Sequence, residues 1–380
     1  MIRTIPSTES ATPTRAFDWR RSLIQQRYFL IGIAFIVVAI VTVNGSSYPI
    51  YIVDTILLAA IGAMALDLLM GTGGQVSIGN AAFLALGAFA TVWASRSGVP
   101  FPFDVIIGGF ACAVGGFIVG LPALRIRGMY LALATLGAFY LAQFVGEKYQ
   151  EDTVGAGGFF MTPIFHGTIS QQSASWAWLL LAVLAATIIF FSWLRSGRSG
   201  RAWRMIRDHE VAASIIGIPV SRYKLMLFTI TSAVIGIQGG LTAHFISVVT
   251  YDSYTLQLSI SVIAMILIGG LDSQAGALIG AVVIITMPIF VPDIINTFAT
   301  SSNASQDASS YAEVVYGALI VIFMIKAPKG LVGLIQTTGR KVLSRWDGSR
   351  TSPLTDQLTT KDVPIPSGTP EPQGPGKVIS

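Results

Sequence analysis

Polar and apolar residues are not interleaved evenly along this chain; the apolar ones gather into long runs joined by polar connections. A helix that crosses a bilayer needs about 20 mainly apolar residues. Ten runs approach that length: 28–44, 50–70, 75–95, 103–123, 128–146, 176–194, 223–249, 255–271, 274–291 and 312–335. The pattern predicts an all-α fold, a polytopic transmembrane helical bundle of about 10 spans. Several runs are interrupted by glycine, so half or broken helices are expected among them.

Composition agrees with the runs. Of the 380 residues, 53% are hydrophobic and 11% charged, against about 25% charged in a soluble domain. Residues 28–335 hold only 26 of the 43 charges, too few to cover a water-exposed surface. A cytosolic enzyme, a secreted disulfide scaffold and a nucleic-acid-binding domain are thereby excluded. Three regions follow: a cytoplasmic N-terminal tail (1–27), a transmembrane domain (28–335) and a cytoplasmic tail (336–380). The first is polar and lacks the apolar stretch of a signal peptide. The last, rich in Pro, Gly, Ser and Thr, is predicted to be disordered.

The net charge of +5 reports topology rather than a nucleic-acid partner. Lys and Arg near span ends collect on the cytoplasmic side. With the N-terminus inside and ten alternating spans, 22 of the 24 Lys and Arg fall inside, leaving Arg96 and Lys148 outside. Both termini are then cytoplasmic. Two larger connections, 147–175 and 292–311, face outward.

Little in the chain resembles catalytic chemistry. Cys112 is alone, and His166, His209 and His244 lack metal-ligand spacing, so neither a disulfide nor a metal site is expected. The nearest approach to a Walker A loop, Gly374-Pro-Gly-Lys377-Val378, has no Ser or Thr for Mg²⁺ and lies in the tail. No catalytic residue is assigned. Uphill transport would need an ion gradient or an ATPase on another chain.

The richest cytoplasmic segment is 200–217, read as one short helix stopped by Gly217. At 100° per residue Ala202, Trp203, Met205, Ile206, Ala213 and Ile216 share one half of the wheel, with Arg201, Arg204, Arg207 and Asp208 opposite. Such a helix lies against the membrane-facing body and presents its cations elsewhere. Glu210 projects from the apolar half and needs a partner, with Arg207 a candidate at i−3.

Here the chain resembles a known family. Glu210-Val-Ala-Ala213-x3-Gly217 is similar to the Glu-Ala-Ala-x3-Gly loop by which permeases of ABC importers dock on their ATPases. The surrounding Gly200–Glu210 and Gly217–Leu225 stretches, Thr242-Ala-His-Phe245, Tyr251-Asp-Ser-Tyr254 and Leu267-Ile-Gly-Gly-Leu-Asp-Ser273 resemble membrane subunits of branched-chain amino acid ABC importers. So do Leu66–Phe83 and Leu124–Leu136; the likeness covers roughly residues 30–335 in order. Asn80 stands where that family usually has histidine, and Asp67 where asparagine is common.

The resemblance implies a permease subunit of the bacterial cell membrane. It would pair with a second homologous permease, two cytoplasmic ABC ATPases that bind ATP-Mg, and an external solute-binding protein. This chain itself would bind no cofactor. Arg201, Arg204, Arg207, Asp208, Glu210, Ala212, Ala213 and Gly217 would form the ATPase-coupling segment, and 147–175 the surface for the binding protein. Branched-chain or other hydrophobic amino acids are the implied solutes. Urea, short amides and other small organic solutes use similar machinery, and an ion-coupled secondary transporter is the rival class.

Two sets of residues complete the expectations. Gly116/Gly120, Gly236/Gly240 and Gly276/Gly280 each place two glycines on one helix face, which permits close helix packing in lipid. Polar side chains inside or at the ends of spans are costly without partners, so Asp67, Gln75, Ser77, Asn80, Gln238, His244 and Ser273 are candidates for a translocation path. Interhelical hydrogen bonding is the competing role for each. The Gly-Gly breaks at 73–74 and 269–270 are each followed by Ser three residues after the second glycine, an echo compatible with a parallel internal repeat.

Overall fold

A computed structural model describes residues 31–42, 47–123, 129–162, 164–165, 169–298 and the isolated positions 317, 318, 321, 330 and 331. Both tails and most of the tenth apolar run lie outside the described residues. Each of the other nine runs is helical through its main part. The helices are α1 (Ile31–Thr42), α2 (Ser47–Asp67), α3 (Asn80–Arg96), α4 (Phe103–Ala123), α5 (Met129–Thr153) and α6 (Ile169–Ser196). They continue with α7 (Arg198–Asp208), α8 (Glu210–Ile215), α9 (Val220–Ile246), α10 (Leu256–Gly269) and α11 (Gln274–Phe298). Among the described residues, five helical stretches are long and apolar enough to cross a membrane: Ser47–Thr72, Phe103–Pro122, Ala174–Ser196, Val220–Ile246 and Tyr251–Gly269.

Helix α2 is central. Every residue from Leu57 to Leu69 is buried, as expected of a helix that is apolar all round. It packs against α6, α9 and α11, while α3, α4 and α9 pack together beside it. After Asp67 the chain widens into a π-helical turn, Leu68–Thr72, and leaves the helical conformation until α3 begins at Asn80. The run predicted as a span from 75 therefore starts with irregular, partly buried backbone. Protein groups satisfy it, as such backbone at membrane depth requires. Thr135 Oγ1 accepts from the Ile78 amide at 3.0 Å, and Ser259 Oγ accepts from the Ala81 amide at 2.8 Å.

The polar connections are shorter than the apolar count suggests. Helix α5 carries Glu147, Lys148, Glu151 and Asp152 in its last turns, because these side chains, although unsuited to lipid, are good or tolerable helix formers. With α6 starting at Ile169, the connection expected over 147–175 contracts to 154–168. Helix α11 likewise reaches Phe298. At that end a two-residue antiparallel pairing joins β1 (Phe159–Phe160) to β2 (Val248–Val249). Tyr149 stacks on Phe159 at 5.4 Å, and Arg96 lies over the same ring.

The segment 200–217 is two helices rather than one. His209, at φ −151° and ψ 88°, breaks α7 from α8. The predicted glycine stop is present: Gly217 has φ +87°, and the Ile218 and Gly217 amides close back on the Ala213 and Ser214 carbonyls.

Candidate functional site

Helix α7 is pinned by its apolar face and by a tryptophan. Ala202, Trp203 and Ile206 are buried, and Trp203 Nε1 donates to the Tyr223 carbonyl at 3.0 Å, tying α7 to the first turn of α9. Arg201, Arg204 and Arg207 bond back onto the rest of the protein. Arg201 donates to the Ser196 carbonyl at 3.3 Å and Arg204 to the Arg195 carbonyl at 3.2 Å, so both cap the C-terminal end of α6. α8 and the residue that follows it expose three large aliphatic side chains, Val211, Ile215 and Ile216, at 64%, 79% and 62%, alongside exposed Ser214. Ile216, placed on the packed half of the wheel by the single-helix reading, faces out because the break at His209 resets the phase. Met205 is also exposed. Glu210 pairs with Lys224 at 2.9 Å, across the α8–α9 turn.

Arg207 enters a cluster that joins four elements. At the end of α2, buried Asp67 receives Arg195 Nη2 from α6 at 2.6 Å and the Asp272 amide from the α10–α11 turn at 2.7 Å. Asp272 in turn accepts from Thr72 Oγ1 at 2.7 Å and pairs with Arg207 at 3.2 Å. Arg207 also donates to the Gly71 carbonyl. Burial works against the Arg207 charge, but bonds and charges from Asp208 and Asp272 outweigh it and raise the guanidinium above its usual range. Asp272 holds its place with φ +60°, a left-handed backbone that aspartate tolerates better than most residues. Two carboxylates and two guanidiniums thus close the same end of α2, α6, α7 and the α10–α11 turn.

The seven polar residues proposed for a path do not converge. Asp67 belongs to the ionic cluster. Gln75 Nε2 donates to the Lys224 carbonyl at 3.3 Å, and Ser273 Oγ caps the start of α11 through the Gly276 amide. His244 Nε2 meets Asp104 Oδ2 at 2.6 Å, and both residues are buried. Ser77 and Asn80 are buried at the start of α3, and the Asn80 amide has no hydrogen-bond partner among the described residues. Gln238 lines a cavity.

That cavity, of about 640 Å³, opens between α2, α9, α10 and α11. It lies at the ends of these helices opposite the ionic cluster: Tyr51 and Thr55 in α2, Gln238 and Thr242 in α9, Gln257 and Ser261 in α10. The remaining wall is apolar, including Leu58, Val262, Met265 and Ile284, and no charged residue lines it.

The family model for the branched-chain amino acid transport system permease component matches residues 48–324. The chain belongs to this family. The permease is 27% identical over 339 residues to the high-affinity branched-chain amino acid transport system permease protein LivM of Salmonella typhimurium, a match that spans 82% of this chain and 76% of that protein. LivM of Escherichia coli matches equally. LivH of Escherichia coli is 24% identical over 237 residues, covering 59% of this chain and 71% of its own.

Within the permease, the paired glycines lie at close crossings. A side chain on Gly116 would meet Ser232, and on Gly120, Leu225; Gly236 faces Cys112, Gly240 faces Thr91, Gly276 faces the Gly270 carbonyl and Gly280 the Met265 carbonyl. Arg195 and Lys224 escaped assignment to a site from the sequence, because each sits at a span end where a basic residue reads as topology. The hydroxyls of the cavity were missed for a different reason. Single Ser and Thr residues in apolar helices carry no periodic mark, and only the fold brings them together.

Proposed function

We propose that this chain is one permease half of a binding-protein-dependent ABC importer for branched-chain or other hydrophobic amino acids in a bacterial inner membrane. A second permease, two cytoplasmic ATPases with ATP-Mg and an external binding protein complete the machine. Ten spans with both termini inside place α7 and α8 on the ATPase side. The carrying observation is the apolar face of α8. Three large aliphatic side chains exposed together outside the lipid mark a protein-binding surface, and the helix bearing them is joined to α9 through the Glu210–Lys224 pair. ATPase movement would pull on α7 and α8, and Arg207 would carry it into the cluster that closes the transmembrane helices. Arg201, Arg204, Arg207, Asp208, Ala212, Ala213 and Gly217 serve by holding α7 and α8 in this pose.

The test is reconstitution with the ATPases and binding protein in proteoliposomes. ATP is expected to drive leucine uptake, and Ile215→Asp to abolish both ATPase co-purification and uptake while the permease remains folded. Uptake powered by a proton or sodium gradient without ATP would overturn the reading.

A further inference from the structure

Helix α2 carries two aspartates in opposite circumstances. Asp67, at one end, sits in the ionic cluster. Asp54, two turns in from the other end, is wholly buried, yet neither of its carboxyl oxygens has a hydrogen-bond partner among the described residues. A carboxylate in such a place is an uncompensated charge, far costlier than an unpaired neutral group. Ionisable groups inside membrane spans commonly mark function.

The helices around Asp54 bring no counter-charge. α2 packs against α6, α9, α10 and α11. α6 has no ionisable residue before Arg195 at its far end, and α10 has none. α9 has Arg222, Tyr223 and Lys224 at its far end; at the near end it has His244, which is already joined to Asp104. α11 has Asp293 alone, towards its end, and α2 itself adds Tyr48 and Tyr51. A hard metal ion takes about six or more oxygen ligands, and no group of three His, Cys, Asp or Glu among the described residues could hold one. A proton needs neither further ligands nor a cavity.

An aromatic chain closes this end of the bundle. Tyr51, one turn before Asp54, stacks on Phe245 of α9 at 5.4 Å. Phe245 meets Trp176 of α6 edge-on at 5.8 Å, and Trp176 meets Phe165 at 5.4 Å. Ile50 and Leu57, on the same side of α2 as Asp54, are buried with it.

We propose that Asp54 is a proton-binding site, protonated while the aromatic chain is closed and releasing its proton to the outer solution when α2, α6 and α9 part at this end. The outward direction rests on the proposed topology, and the link to solute entry on the proposed import function. Parting the helices admits water, in which an aspartate ionises at neutral pH. The O–H bond then breaks, its electron pair stays on the carboxylate and the proton passes to water. The closed form thus holds one proton more than the open form. Lower outer pH favours the closed form and higher outer pH the open one, by at most about tenfold per pH unit for a single proton. Because the proton enters and leaves on the same side, it drives nothing across the membrane. It sets how readily the outer end opens, and ATP still powers the proposed importer.

Two measurements test this. Infrared difference spectroscopy of the detergent-extracted full chain at about pH 7, where solvated carboxyls are ionised, is expected to show a protonated-carboxyl C=O band that Asp54→Asn lacks. Asp54→Ala, expected to lose the same band, covers a folding defect in the first variant. The second measurement is ATP-driven uptake of radiolabelled L-leucine by the complete importer in proteoliposomes, with outer pH varied and inner pH fixed. Asp54→Asn mimics the protonated form, so the ratio of parent to variant rates should start near one in acid and rise several-fold as outer pH increases, by at most about tenfold per unit. Effects of pH on the binding protein are common to both and cancel in the ratio. A band unchanged in both variants would overturn the proton site. A band that is lost, with a rate ratio that stays flat, would overturn its link to outer opening. Failure of the unsubstituted importer to take up leucine with ATP would overturn the import reading, while the band still decides whether Asp54 holds a proton.

Discussion

At the scale of single residues, the buried Asp67–Arg195 pair is the most exposed to damage by mutation. Removing one partner of a buried ion pair leaves an unpaired charge and costs about 3–5 kcal/mol. Asp67→Ala and Arg195→Ala are each expected to lower the thermal unfolding midpoint of the detergent-extracted permease sharply. The double variant Asp67→Asn/Arg195→Leu should lose much less than the two single changes added together. Equal additive losses would show that the pair is not coupled. Glu210 and Lys224, which are partly solvent-accessible, are expected to behave differently. Either reversal alone should uncouple ATP hydrolysis from uptake, and Glu210→Lys with Lys224→Glu should restore part of the coupling.

These residues also show what a sequence discloses and what it hides. The Gly217 stop is local, so the residues alone disclosed it, and the Glu210 motif was legible through its resemblance to the family's loop. Glu210's need for a partner was legible too, but the partner was not, because Lys224 lies beyond the turn that Gly217 makes. Asp67 and Arg195 are separated by 128 positions, and no periodicity relates them. Arg195 reads as one more basic residue at a cytoplasmic span end, although its side chain is largely buried against Asp67.

At the scale of elements, close crossings depend on absent side chains. A residue larger than glycine at 280 would run into the Met265 carbonyl of α10, and backbone cannot move aside as a flexible side chain can. Gly280→Leu is expected to destabilise the permease by about 1–3 kcal/mol or more through overpacking. Gly137 in α5 meets nothing within 4 Å, so Gly137→Ala should be neutral or stabilise by up to about 1 kcal/mol through helix propensity. Thermal unfolding of both variants checks the contrast. Helix existence was well predicted from apolar runs, yet helix ends were not. Hydropathy marks where lipid-compatible residues stop; hydrogen bonding decides where the helix stops. α5 and α11 outrun their apolar stretches, and α3 begins late because glycine and a π turn interrupt it.

At the scale of the molecule, the proposed topology makes opposite ends of the helices accessible from opposite sides of the membrane. Ser97 and Ser221 are both exposed, after α3 and at the start of α9. In intact cells, Ser97→Cys should react with an impermeant maleimide from outside, and Ser221→Cys only after permeabilisation. Buried Cys112 should stay silent in both. Labelling of both positions from one side would overturn the ten-span arrangement.

Helix α9 is held at both extremities. Just past its end, Val248 and Val249 pair with Phe159 and Phe160; near its start, Lys224 meets Glu210 and the Tyr223 carbonyl takes the Trp203 proton. In the proposed topology it is a rod clamped at each side of the membrane, and a rod cannot be moved at one clamp alone. In the proposed importer, a docking event that tugs on the Phe159 strand would be felt at α8, and an ATPase that displaces α8 would alter how firmly that strand is held. By linkage the two effects are equal in free energy: the binding protein should raise the affinity for the ATPase by the same factor as the ATPase raises the affinity for the binding protein.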